Sequence, residues 1–188
     1  EITNSNKYKA ITNVDTPEPK VALTFEINGN NNSELTKTLD ILKEHNIKAT
    51  FFVVGAWAQK NIDFIKKIHN DNHQLGNHTQ THSNINSITE TQFKSEVKGC
   101  SKTIKNILGV EVNVFKFPNN KYNDTHMEFI YDNSLYPIGA SVISNDYKEL
   151  GKEKLIETIS QSNNLKNGAI LEFNIGSKYL NEALPDII

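Results

Sequence analysis

Val21-Ala22-Leu23-Thr24-Phe25-Glu26-Ile27-Asn28 alternates with period two. Val21, Leu23, Phe25 and Ile27 share one face, and Ala22, Thr24 and Glu26 share the other. The pattern predicts a strand that carries a carboxylate to its C-terminal end. Further strands are predicted over Ala49 to Val54, Gln74 to Asn77, Val112 to Phe117, Tyr136 to Val142 and Gly168 to Phe173. Helices are predicted between them, for example Ser33 to His45, with Leu35, Leu39 and Leu42 at helical spacing, and Thr89 to Leu108, with Phe93, Val97, Ile104 and Leu108. Strand and helix in alternation argue for a parallel sheet. Periodicity alone leaves open whether that sheet is doubly wound or closed toward a barrel.

A chain of 188 residues, 37% of them hydrophobic, buries the core of one domain. Its net charge of −2 and 20 basic residues, all lysine and scattered, exclude the polycationic surface that nucleic acid demands. The lone Cys100 excludes an intrachain disulfide and a thiolate metal site; its helix-like setting predicts a buried or half-buried thiol. No window approaches about 18 apolar residues, so no membrane span is expected. Residues 1–20, polar and unpatterned with Pro17 and Pro19, are expected to form an N-terminal extension to a domain over 21–188. A start at Glu1 without Met fits a trimmed secreted protein, although a cloning boundary would look the same.

His78-Thr79-Gln80-Thr81-His82, directly after Gly76-Asn77, sets two imidazoles four residues apart where they can aim at one metal ion. Neutral imidazoles suit zinc, cobalt or nickel. The bland alternative is two surface histidines on a polar loop. A zincin protease is excluded, because that chemistry needs Glu between the histidines as base and this chain has Thr79-Gln80-Thr81.

In this order the segments around Glu26, Phe52 and His78 resemble the NodB-homology polysaccharide deacetylases, carbohydrate esterase family 4. The likeness is closest to a sporulation-associated branch whose first motif also ends in Ile, and it runs from about Tyr8 to the last residue. It implies a distorted, incomplete (β/α) barrel with its site at the C-terminal strand ends. Members usually continue through one more helix and strand, so the end at Leu184-Pro185-Asp186-Ile187-Ile188 is expected to be a truncated one.

The family binds a divalent metal through one Asp and two His, and uses a neighbouring Asp as base and a later His as acid. By resemblance, His78 and His82 are the imidazole ligands and Glu26 stands at the base. Ile27 falls where the carboxylate ligand stands, and strand parity keeps it in the apolar stripe. Glu26 is then base, ligand or neither, the last if it is a solvated strand-end residue. In Phe115-Lys116-Phe117-Pro118-Asn119-Asn120-Lys121-Tyr122, Lys116 replaces the Arg that positions the base, and without arginine no planar fork is available. The Asn119 backbone is the expected oxyanion donor; Phe117 and Tyr122 either stack on a sugar or pack in the core or rim. Asp146 is retained and expected to pair with Lys116, and Tyr147 replaces a Trp. Asn174 stands at the general-acid position, where Asn cannot protonate a leaving amine. Glu172 takes the place of a leucine that lines the acetyl pocket. His73 is expected to be a hydrogen-bonded supporting or core residue, while His45, His69 and His126 are expected at the surface.

The resemblance therefore implies metal-dependent hydrolysis of N-acetyl groups on envelope glycans, peptidoglycan or related, by a secreted or cell- or spore-envelope protein whose catalysis is impaired. Its metal, zinc first with cobalt or nickel as alternatives, should be held weakly by two nitrogens. The alternative is an inactive relative that binds a glycan or an envelope partner.

Overall fold

The computed structural model describes residues 9–188; residues 1–8 of the expected extension, Tyr8 included, lie outside them. Along the chain come β1 (Ala22–Ile27), α1 (Asn32–Glu44), β2 (Thr50–Val53), α2 (Gly55–Lys60), α3 (Ile62–Asn70), β3 (Gln74–Asn77), α4 (Glu90–Leu108), β4 (Val114–Phe115), α5 (Asp124–Asp132), β5 (Tyr136–Pro137), β6 (Val142–Ile143), α6 (Lys152–Ser160), β7 (Ile170–Asn174) and α7 (Leu180–Ile187). All pairings between these strands are parallel, in the order β5-β4-β3-β2-β1-β7-β6. The sheet curls into an incomplete (β/α) barrel with helices on its outer face.

Parity in β1 decides what faces where. Leu23, Phe25 and Ile27 are buried in one cluster with Leu35, Leu39 and Leu42 of α1 and with Phe51 and Phe173 from the flanking strands. Thr24 and Glu26, also buried, point to the other side, into the barrel. There Glu26 pairs in register with Phe52 on β2 and with Asn174 on β7, and Phe52 with Gly76 on β3. A Cβ on Gly76 would sit 2.5 Å from the Phe52 ring, so glycine is what lets that ring fill the interior. A second cluster gathers Phe93, Phe115, Phe117, Met127 and Ile130 where α4 and α5 cover β4.

Helix α4 begins and ends where its residues direct. Thr89 and Gln92 form a reciprocal capping box, and Gly109 closes the helix at φ 75°. Cys100 lies buried on it, with its thiol on the Val53 carbonyl, and burial pushes that thiol up to about 12.

The predicted strand over Tyr136 to Val142 is corrected by the structure. β5 and β6 are separate and lie on opposite edges of the sheet. Pro137 has no N–H to extend a ladder, and the Gly139 N–H goes instead to the Ile11 carbonyl. The link 138–141 thus crosses the open side of the barrel. The run Val112 to Phe117 likewise shrinks to the two residues of β4. Residues inside the expected extension cross the same opening: Ile11 bridges Ile138, and Asn13 bridges Ala169 just ahead of β7. No helix among the described residues is long and apolar enough to cross a membrane.

Candidate active site

Glu26 near the end of β1 and His78 just past the end of β3 meet His82 from the following loop at the C-terminal end of the barrel. One ligand atom from each lies within 4.8 Å of the other two, and no other such trio converges among the described residues. The loop is tied down at every residue. Asn77, wholly buried, donates to the Val97 carbonyl at 2.7 Å and to Ser101 Oγ at 2.8 Å, and accepts from the Thr79 N–H at 2.8 Å. The Thr79 and Gln80 carbonyls accept the Gly55 and Ala56 N–H groups at the start of α2. Thr81 is clamped by both oxygens of Glu96. These bonds hold Thr79 and His82 at φ 66° and 58°, a costly conformation for a β-branched residue such as Thr79.

The His78 ring is fully buried, with Nδ1 2.9 Å from the Lys116 carbonyl oxygen. A carbonyl only accepts, so Nδ1 carries a proton and Nε2 is the nitrogen turned to the site. Nε2 faces Glu26 Oε2 at 3.2 Å without forming an aligned hydrogen bond, and His82 Nε2 is also buried without a partner. A ring nitrogen and a carboxylate oxygen that close are held by a cation, either a proton or a metal ion. Two imidazoles and a carboxylate, the first ring oriented from behind by a carbonyl, fit a divalent transition metal. Burial pulls His82 below its ordinary value, which favours the neutral form a metal needs. Burial alone would raise the Glu26 carboxyl, but His78, Lys116 and His82 together hold it below its usual range.

Lys116 is fully buried, yet its ammonium does not meet Asp146. Its Nζ lies 2.7 Å from Glu172 Oε2, 3.3 Å from Asn120 Oδ1 and 3.5 Å from Glu26 Oε1. Asp146 instead accepts the Asn174 backbone N–H at 2.7 Å and the Asn174 side-chain amide at 2.8 Å. The expected Lys116–Asp146 pair is therefore replaced by two separate pairs, because Glu172 reaches the lysine first. A buried ammonium must have an anion beside it.

A cleft of about 490 Å³ opens over these groups, lined by Glu26, His82, Glu172 and Asn174 below and by Asn119 and Tyr147 at the loops. Tyr147 is 60% exposed at the rim. Phe117 is not in the cleft: it is 2% exposed and stacks on Phe93, with Tyr122 tilted against it at 4.9 Å. Buried there, Phe117 offers no face to a sugar, and Tyr122, half-buried on that ring, does not line the cleft either. His73 is a core residue at the far end of β3, its Nδ1 accepting from the Ala49 N–H and its ring edge-on to Phe51. His45 and His69 are exposed as expected. His126 is buried against Phe93 at 4.4 Å, contrary to expectation, because the first turn of α5 presses on α4.

Sequence reasoning missed Asn28, Asn120, Ile143 and Asn145 as cleft residues. Asn120 and Asn145 take positive φ, a conformation Asn tolerates but does not announce in the sequence. Glu172 did carry a signal, a charge inside the apolar run Ile170-Leu171-Glu172-Phe173.

Residues 13–135 match the family model described as polysaccharide deacetylase. The chain is 27% identical over 172 residues to a peptidoglycan-N-acetylglucosamine deacetylase of Bacillus cereus, covering 90% of this chain and 62% of that protein. It is 32% identical over 112 residues to the peptidoglycan-N-acetylmuramic acid deacetylase PdaA of Bacillus subtilis, covering 60% and 42%. Among solved structures, a CE4 family pseudoenzyme from Bacillus anthracis superposes with a TM-score of 0.88 at 26% identity, over 95% of this chain and 62% of that one. A mutant of that pseudoenzyme, described as having restored enzymatic activity, superposes equally well at 0.88. The chain spans less than two thirds of the length of these proteins.

Proposed function

The chain belongs to the polysaccharide deacetylase family, and from that premise we propose that it is a metal-dependent deacetylase of N-acetylated envelope glycans, peptidoglycan or related, with impaired catalysis. The convergence of Glu26, His78 and His82 on one point of a glycan-sized cleft carries this reading. His78 and His82 would hold the metal, zinc by the chemistry of the donors, with Glu26 as the one carboxylate in reach. When bound, the metal polarises an acyl carbonyl and makes water acidic enough to attack near neutral pH.

The chain's own groups account for the impairment. Glu26 is needed as base, yet its Oε2 faces His78 Nε2 at 3.2 Å, where it is also needed as the anionic ligand. Lys116 offers Glu26 a point charge at 3.5 Å in place of a two-pronged guanidinium, so the carboxylate is attracted but not oriented. Asn119 lines the cleft where a backbone donor would meet a developing oxyanion. Asn174 has no proton to give the departing amine, and loss of such a group typically removes about 10²–10⁴-fold in rate.

Acetate release from an N-acetylglucosamine oligomer or a peptidoglycan digest, followed by mass spectrometry with zinc and with chelator, tests the proposal. Slow release that needs zinc, and that disappears in Glu26→Gln and His78→Ala, is the expected result. Robust turnover that survives Glu26→Gln would overturn the assignment of the base. A second reading, glycan binding without turnover, is favoured by the Asp146–Asn174 pair, which engages the acid position twice over. No acetate release from a zinc-loaded protein that still binds the oligomer would select it. Either activity would act at the cell or spore envelope, a reading supported by the likeness to peptidoglycan deacetylases.

A further inference from the structure

Glu172 is 7% exposed and lines the cleft floor. Its hydrogen bonds both fall on one oxygen: Lys116 Nζ at 2.7 Å and Asn120 Nδ2 at 3.2 Å each donate to Oε2. Neither bond uses Oε1, and Glu172 lines the open cleft. A carboxylate more than nine-tenths buried, held through one oxygen by two protein donors and lining the cleft, is an acceptor positioned in advance for a ligand. An acyl methyl placed against it would leave it desolvated and unpaired, and a carbonyl oxygen would set acceptor against acceptor.

Charge narrows the donor. Glu26 and Glu172, each 7% exposed, face the ammonium of Lys116, so the metal-free cleft has more formal negative charge from these groups than positive. A cationic donor therefore gains more there than a neutral hydroxyl. Asn28, Asn119 and Asn145 supply amides for hydroxyl groups, and Tyr147 at the rim supplies an apolar face.

The geometry points to Glu172 as a specificity residue that makes the cleft a receptor for the free amino group of a de-N-acetylated amino sugar, in preference to its N-acetylated form. The inference rests on the glycan-cleft reading above and not on turnover. Its test is calorimetric titration of the chelator-treated protein with a glucosamine tetramer and, separately, an N-acetylglucosamine tetramer, at about pH 6, where the sugar amine is protonated. The amine tetramer should bind about tenfold tighter, as one charge-assisted bond allows. Glu172→Gln keeps the size and an acceptor for Lys116, and should erase that preference. Glu172→Leu, checked for folding by its thermal melt, should reverse it.

Equal binding, or tighter binding of the acetylated tetramer by the wild type, overturns the inference and leaves the deacetylase reading standing. A preference that persists in Glu172→Gln also overturns it. Binding of neither tetramer sinks both the inference and the glycan-cleft reading. Acetate release by the zinc-loaded protein is a separate measurement and can fail without changing any of these outcomes.

Discussion

At Asp146 one carboxylate accepts both the backbone and the side-chain N–H of Asn174, and this pair shows how single residues set the acid–base behaviour of the site. Burial, the largest influence, raises Asp146 above its ordinary value against the opposing bonds from Asn174, Ser144 and Ser177. The folded state therefore holds this proton more tightly than the unfolded state. Its stabilising contribution is fully present below the ordinary value of about 3.9 and is lost as pH rises through the raised folded value. Urea denaturation across that window should show wild-type stability falling with pH relative to Asp146→Asn, which cannot titrate. A difference between the two that is flat with pH would refute the raised value. Asp146 and Asn174 were both legible as site positions, each in its own motif, but their pairing was not. It brings together residues 28 apart, and the competing lysine partner was settled by Glu172.

Among the elements, β1 was the most readable, because a period of two over six residues leaves no choice of face. Ile27 lies where parity places it, in the helix-facing core. β3 was legible as a strand, but the reason for Gly76 was not, since Phe52 on the neighbouring strand supplies it. Gly76→Ala should drive a methyl into that ring and cost roughly 1–3 kcal/mol in chemical denaturation. Adding Phe52→Leu should recover part of the loss, and a double variant no more stable than Gly76→Ala would show that the ring is not the obstacle. The two-residue strands β4, β5 and β6 were beyond periodicity, which needs four or more residues to declare itself.

For the whole molecule, the opening between β5 and β6 is the weak seam, and the segment around Ile11 to Val14 spans it. Its backbone bonds run from Ile11 to Pro137, from Gly139 to Ile11 and from Val14 to Gly168. Deleting residues 1–15 should cost on the order of 2 kcal/mol, at about 0.5–1.5 kcal/mol for each lost bond, measured by urea titration. Gly168→Ala should have a similar effect, because a Cβ there would collide with the Val14 carbonyl. Unchanged stability in both variants would mean that the segment does not brace the seam. The sequence by itself determined the strands long enough to alternate, the buried face of β1, the span of α4, and a histidine pair able to aim at one metal ion, because each depends on neighbours within a few residues. Only the tertiary structure decided that Lys116 serves Glu172 and Glu26, that Phe117 turns into the core, and that 136–142 divides between two sheet edges. Those outcomes depend on how far the barrel curls and which rows of side chains it sets opposite one another, a distance between strands that no local period encodes.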